Sequence, residues 1–216
     1  MREHNDGMDL GLRDRVYVVT GASRGLGRAT AQVLVDEGAK VVVSARRRDA
    51  LDAAVAELGR TSATGMVADN ADPDSASRMV DTALTTYGRL DGALISVGGP
   101  VTGLVVDIDD EQWREAFETV FVGALRIARA VAAELTTGGT LAFVLSTSAK
   151  MPVSGLAVST GLRPGLAMVA KSLADELGPR GIRVNGLLPG RVETERVQSS
   201  MAAPPTRRRV DAGTRR

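Results

Sequence analysis

The chain contains no cysteine and one histidine, His4. Without thiols there can be no disulfide, thiolate metal site or cysteine nucleophile. A lone histidine in a polar N-terminal stretch also excludes a multi-histidine zinc centre, so no metal ligands are expected. The five arginines after Pro205 could touch nucleic acid or acidic lipid, but without aromatic stacking partners a solvated end is the preferred reading. Twenty-seven basic residues against 26 acidic ones give a net charge of +1, offering no general grip on nucleic acid. No apolar run approaches the roughly 20 residues that cross a bilayer. The polar start, Met1 to Gly7, has no apolar signal-peptide core behind it. These absences predict a cytoplasmic protein without nucleic-acid or membrane partners.

Lysine is scarce too, occurring only at Lys40, Lys150 and Lys171, so nearly all the positive charge is arginine. What the chain does have is glycine, 24 residues of it, and a repeating rhythm. Short β-branched runs occur at residues 15–20, 40–45, 63–68, 92–97, 140–146 and 182–188. Helical patterns follow the first run and recur at about 49–59, 73–87, 110–135 and 160–178. Strands alternating with helices predict an α/β fold, a parallel sheet with helices on both faces. Length favours one domain. We place it at residues 12–195, after a flexible N-terminal segment (1–11) and before an arginine-rich, poorly ordered tail (196–216).

Two helical stretches have a marked apolar face. One carries Leu162, Leu166, Val169, Leu173 and Leu177 at spacings of three and four; the other carries Trp113, Phe117, Val120, Phe121 and Ala124. Core packing is the simpler reading, and a subunit contact is the second. Asp107, Asp109, Asp110 and Glu111, at the start of the Trp113 helix, read as first-turn electrostatics before they read as a general base.

The sharpest chemical signal is Thr20-Gly21-Ala22-Ser23-Arg24-Gly25-Leu26-Gly27, placed between the first strand and the first helix. A strand that turns through glycines into a helix presents unpaired amides to an anion. Gly21, Ser23, Arg24, Gly25, Leu26 and Gly27 are therefore candidate cofactor-binding residues. A carboxylate at the end of the second strand would accept from a free ribose 2′-hydroxyl. This chain has Arg46-Arg47-Arg48 there instead. Arg46 with Arg24 suits a 2′-phosphate, favouring NADP over NAD, unless the run is only a solvated basic loop.

With these motifs the sequence resembles the short-chain dehydrogenase/reductase family, and especially its 3-oxoacyl-acyl-carrier-protein reductases, from about Leu12 to Thr194. The TGxxxGxG turn is complete. The run Lys171 to Asn185, followed by Pro189-Gly190 and Thr194, is typical of the family. The resemblance implies a Rossmann-like sheet of order 3-2-1-4-5-6. It implies that Asp69 lies beside adenine and that Pro189, Gly190 and Thr194 position the nicotinamide half. Gly98 closes the segment that matches the family's Asn-Asn-Ala-Gly. A homodimer or homotetramer through the Trp113 and Pro164 helices is also implied.

The family's catalytic Asn, Ser, Tyr and Lys fall here on Val120, Ser146, Ser159 and Arg163, so only the serine is kept. A serine is a far poorer acid than tyrosine, and arginine does not give up its proton. Tyr17, inside the first strand, and Tyr87, at the end of the third helix, are not placed to substitute. Pro164 disfavours a helical Arg163. The expected helix therefore starts at Pro164 with Arg163 at or outside its end, or else runs on bent. Relative to the family the chain is about 35–45 residues short, so part of the usual C-terminal region is expected to be missing.

The function implied is an NADP-linked oxidoreductase for a small carbonyl, hydroxyl or acyl-thioester substrate, with Ser146, Ser159 and Arg163 as an atypical catalytic set. The alternative is a catalytically silent dinucleotide-binding or subunit-interaction protein of the same fold.

Overall fold

The structure, a computed structural model, describes residues 9–192. Thr194, the proposed tail and most of the N-terminal segment lie outside the described residues.

Six strands form one sheet: β1 (Val16–Val19), β2 (Lys40–Ala45), β3 (Ala63–Val67), β4 (Gly92–Ile95), β5 (Thr140–Val144) and β6 (Arg183–Leu187). Their order is β3-β2-β1-β4-β5-β6 and every pairing is parallel. Parallel strands need long crossovers, and helices supply them here: α1 (Gly25–Asp36), α2 (Arg48–Leu58), α3 (Ser75–Tyr87), α4 (Asp110–Ala116), α5 (Gly123–Glu134) and α6 (Ala157–Leu177). Alternation along β1 feeds two cores. Val16 and Val18 join a cluster that includes α3, α5 and α6, whereas Tyr17 and Val19 join one that includes α1 and α2. Burial on both faces explains why β1 and β4 read as continuous apolar runs rather than alternating ones. Strand order reverses between β1 and β4, and a crevice opens outside the carboxyl ends of strands at such a switch point.

α4 runs into α5 through a π-helical stretch, Phe117–Val122, which the sequence pattern over 110–135 did not distinguish from α-helix. Asp109 starts this run by accepting from the Gln112 amide (2.9 Å), and the Gln112 side chain accepts from the Asp109 amide (3.1 Å). The acid is thus used as a helix cap. Val120 and Ala124 are buried, but Phe117 is 46% exposed and stacks on Phe121 at 5.1 Å.

Of the two expectations for Pro164, the structure has the helix that runs on, not one that starts there. α6 begins at Ala157 and continues through Pro164, which puts Arg163 in the helix interior and buries it. An interior proline costs roughly 3 kcal/mol, and contacts on several sides offset it. Val158, Leu162 and Leu166 are buried, while Trp113 and Phe121 lie against Gly161 and Gly165, where any added Cβ would come within 3 Å of a ring.

The opposite end of the sheet carries a charge cluster unrelated to the crevice. Asp91, 7% exposed, accepts from the Val16 amide (2.9 Å), Arg15 (2.8 Å) and Arg89 (2.7 and 2.8 Å). Burial opposes its ionisation, but the hydrogen bonds from Arg89, Val16 and Arg15 outweigh burial and hold its carboxyl below the usual carboxylate range. A depressed folded-state value contributes stability above the unfolded value. That contribution is lost as pH falls through the folded value. The melting temperature of the wild type should therefore decline below about pH 4 more steeply than that of Asp91→Asn. Parallel pH curves would contradict this assignment.

Candidate coenzyme and carbonyl cleft

Thr20 builds the first wall of the crevice. Fully buried at the end of β1, its hydroxyl accepts from the Ser96 amide (2.8 Å) and donates to the Ser96 carbonyl (3.0 Å). This latch fixes the loop after β4 against the glycine turn. Gly21 then takes φ +61°, and a Cβ on it would stand 2.6 Å from the Ser96 carbonyl oxygen. Gly27 seats the helix on the turn, since a Cβ there would meet the Gly21 carbonyl oxygen at 2.7 Å. No side chain caps the start of α1, so its first amides are left to face a ligand.

A second wall comes from the far side of the sheet. Ser146 leaves β5 in extended conformation, and its Oγ accepts from the Ser148 amide (3.1 Å). With one lone pair taken, the Ser146 hydroxyl proton remains to be donated. Ser148 and Ser159 share a hydrogen bond of 2.9 Å and both are buried. Arg163 reaches from α6 under the loop, giving one terminal nitrogen to the Val144 carbonyl (2.6 Å) and the other to the Gly98 carbonyl (2.7 Å). Pro189 is tied in through its carbonyl, which accepts from the Thr147 amide at 3.3 Å. Backbone bonds between Gly103 and residues 155 and 157 join the loop after β4 to the start of α6.

These elements enclose one continuous cleft of about 690 Å³, inside the roughly 300–1,000 Å³ span of small-molecule sites. Gly21, Arg24, Gly25, Leu26, Gly27 and Arg46 line one part of it. Gly98, Ser146, Ser159, Arg163, Pro189 and Gly190 line the remainder. Two candidates are not among its described lining residues. Ser23 sits half-buried within the turn, and Asp69 uses its carboxylate to accept from the Ala71 amide (3.0 Å) beyond β3.

Val120, at the family's asparagine position, is buried in the core. Neither tyrosine lines the cleft. Tyr87 pairs with Thr64 (3.0 Å), and burial pushes the Tyr17 phenol above its ordinary value, with the Asp91 charge adding to the shift. That is the wrong direction for an acid at neutral pH.

Thr20 belongs to the glycine motif, but its latching role does not show in the sequence, and nothing there marks Ser148. Their partners lie 76 and 11 residues away.

The model of the family described as short chain dehydrogenase matches residues 15–204. The chain belongs to that family. It is 30% identical over 188 residues to the 3-oxoacyl-acyl-carrier-protein reductase of Escherichia coli, a match covering 86% of this chain and 77% of the relative. Among solved structures, L-sorbose reductase from Gluconobacter frateurii, complexed with NADPH and L-sorbose, superposes with a TM-score of 0.85 at 28% identity. That match covers 89% of this chain and 75% of the other. A short chain oxidoreductase of Pseudomonas aeruginosa described as containing an atypical catalytic center, in its NADPH-bound form, gives a TM-score of 0.82 at 27% identity. It covers 88% of this chain and 76% of that one. Among the described residues no helix is long and apolar enough to cross a membrane.

Proposed function

We propose that this chain is an NADP-linked oxidoreductase acting on a small carbonyl or hydroxyl compound, an acyl thioester included, through an atypical site. The observation that carries the reading is the continuity of the cleft, which joins the glycine turn and Arg46 to Ser146 and Ser159 without a break. The residues present fit the coenzyme. Gly21 and Gly27 have no room for a Cβ, the start of α1 is uncapped, and Arg24 and Arg46 supply a guanidinium pair for a 2′-phosphate. Pro189 and Gly190 border the other half.

The bound coenzyme supplies hydride exchange at the carbonyl carbon. The chain's own contribution begins with Ser146, whose free hydroxyl proton is donated to the carbonyl oxygen and stabilises it as negative charge develops. Ser159 lines the same cleft, and its hydroxyl, held by Ser148, hands a proton to the alkoxide with an ordered water as the replenishing acid. Arg163 adds a fixed positive field beneath the site, while its hydrogen bonds shape the walls. The exposed Phe117 ring beside Trp113 and Leu162 is proposed as part of a homo-oligomer contact.

A catalytically silent coenzyme-binding protein is the second reading. Two observations favour it: the cleft has no tyrosine among its described lining residues, and both terminal nitrogens of Arg163 are engaged by backbone carbonyls. Fluorescence titration with NADPH and NADH, followed by a carbonyl panel and light scattering of the same sample, separates the two. We expect NADPH to bind more tightly than NADH, and Ser146→Ala to lower turnover by roughly 100-fold with coenzyme affinity unchanged. Tight NADPH binding with no turnover on any carbonyl supports the silent protein. A purely monomeric sample removes the proposed subunit contact.

A further inference from the structure

The cleft is lined by four arginines, Arg24, Arg46, Arg163 and Arg191, and by no aspartate or glutamate among its described lining residues. In a chain with 27 basic and 26 acidic residues this is a strong local separation of charge. Arg46 and Arg191 stand at opposite sides of the row of strands. Arg24 and Arg46 leave from the ends of β1 and β2. Arg163 is fixed at the ends of β4 and β5, and Arg191 follows Pro189-Gly190 beyond β6. In the sheet order β2 and β6 are four strand spacings apart, about 19 Å at roughly 4.8 Å per spacing.

The first positive pole is answered by the 2′-phosphate of the proposed coenzyme, and the uncapped start of α1 by its pyrophosphate. The nicotinamide end brings no anion to the second pole. The cleft wall also carries Val101, Val153 and Leu156, which suit a short carbon skeleton. Field lines in a low-dielectric cleft focus on such a pole and draw in the complementary charge. Arg191 is exposed, and its planar fork matches a carboxylate or phosphate through two parallel hydrogen bonds.

We propose that the β5–β6 half of the cleft selects a carbonyl compound bearing a carboxylate or phosphate group, and that Arg191 is the specificity-determining side chain that meets this anion. The proposal rests on the coenzyme reading above.

The test uses the full chain saturated with NADP⁺, so that carbonyl compounds bind without turnover. Calorimetric titrations compare acetoacetate with methyl acetoacetate, and dihydroxyacetone phosphate with dihydroxyacetone. The charged member of at least one pair should bind about tenfold more tightly, by an amount that shrinks as salt is raised. Which pair shows the preference distinguishes carboxylate from phosphate. Arg191→Gln should reduce the preference below about threefold with NADP⁺ affinity unchanged. The proposal is overturned if neither anion binds, if charged and neutral partners bind equally, or if Arg191→Gln keeps the preference. A chain that takes up neither NADP⁺ nor NADPH fails at the earlier step. The coenzyme reading is then wrong, and the substrate class goes with it.

Discussion

A Gly21→Ala variant is expected to lose measurable NADPH binding and to melt about 5–15 °C below the wild type. Two costs coincide at this position. The φ of +61° is left-handed, where a residue with a Cβ is disfavoured by roughly 1–2 kcal/mol. The new Cβ also lies 2.6 Å from the Ser96 carbonyl oxygen, which is backbone and cannot swing aside. Thr20 holds both polar groups of Ser96, so relieving the clash means opening a buried latch. Strain and overpacking together reach about 2–4 kcal/mol, a large share of the roughly 5–15 kcal/mol that keeps a domain folded. Gly138→Ala makes the useful contrast. Gly138 has φ +88° but nothing within 4 Å of an added Cβ, and it precedes β5 at the sheet end away from the cleft. It should cost only the backbone strain and leave NADPH affinity intact. Scanning fluorimetry and coenzyme titration on both variants decide the matter. Unchanged melting and binding in Gly21→Ala would contradict the close approach between the turn and the Ser96 loop.

The contrast between these glycines shows which parts of the molecule can be read from the chain alone. The strands could be read because β1, β2 and β4 bury both faces, and burial on both faces leaves an uninterrupted apolar run. The turn could be read because its glycines serve a local purpose, the exit from a strand into a helix. The strand order came from resemblance and agrees with the sheet observed. Side-chain roles were harder to read, since they depend on partners far along the chain. Arg163 meets carbonyls 19 and 65 residues away, and Ser159 meets a serine 11 residues away. Pro164 leaves two readings open in the sequence for a related reason. The residue before a proline avoids helical conformation in isolation, but packing on both sides of α6 overrides that local preference here. Asp69 could be matched to a family position, and one of its carboxylate oxygens accepts within its own turn.

Arg163→Met should destabilise the fold by about 2–4 kcal/mol, because two carbonyls of the cleft wall lose charge-assisted donors and the replacement offers none. Methionine is close enough in shape to fill most of the vacated space, so the loss reports the hydrogen bonds rather than a cavity. Both carbonyls belong to the cleft: Val144 ends β5 just before Ser146, and Gly98 lies in the loop after β4. Loosening them should weaken NADPH binding as well as stability. Arg163→Lys discriminates between a tether and a proton relay. A lysine keeps the charge, but its compact ammonium cannot span two carbonyls as the guanidinium fork does. A tether therefore predicts that Arg163→Lys recovers about half of the lost stability and brings no gain in turnover. A relay predicts the reverse, since lysine can titrate where arginine cannot: turnover rises in Arg163→Lys while the melting temperature stays near wild type. Denaturant unfolding and turnover on the same two variants distinguish them. If Arg163→Met unfolds at the wild-type denaturant midpoint, the two carbonyl contacts carry no weight. The buried guanidinium must then be explained by its charge alone.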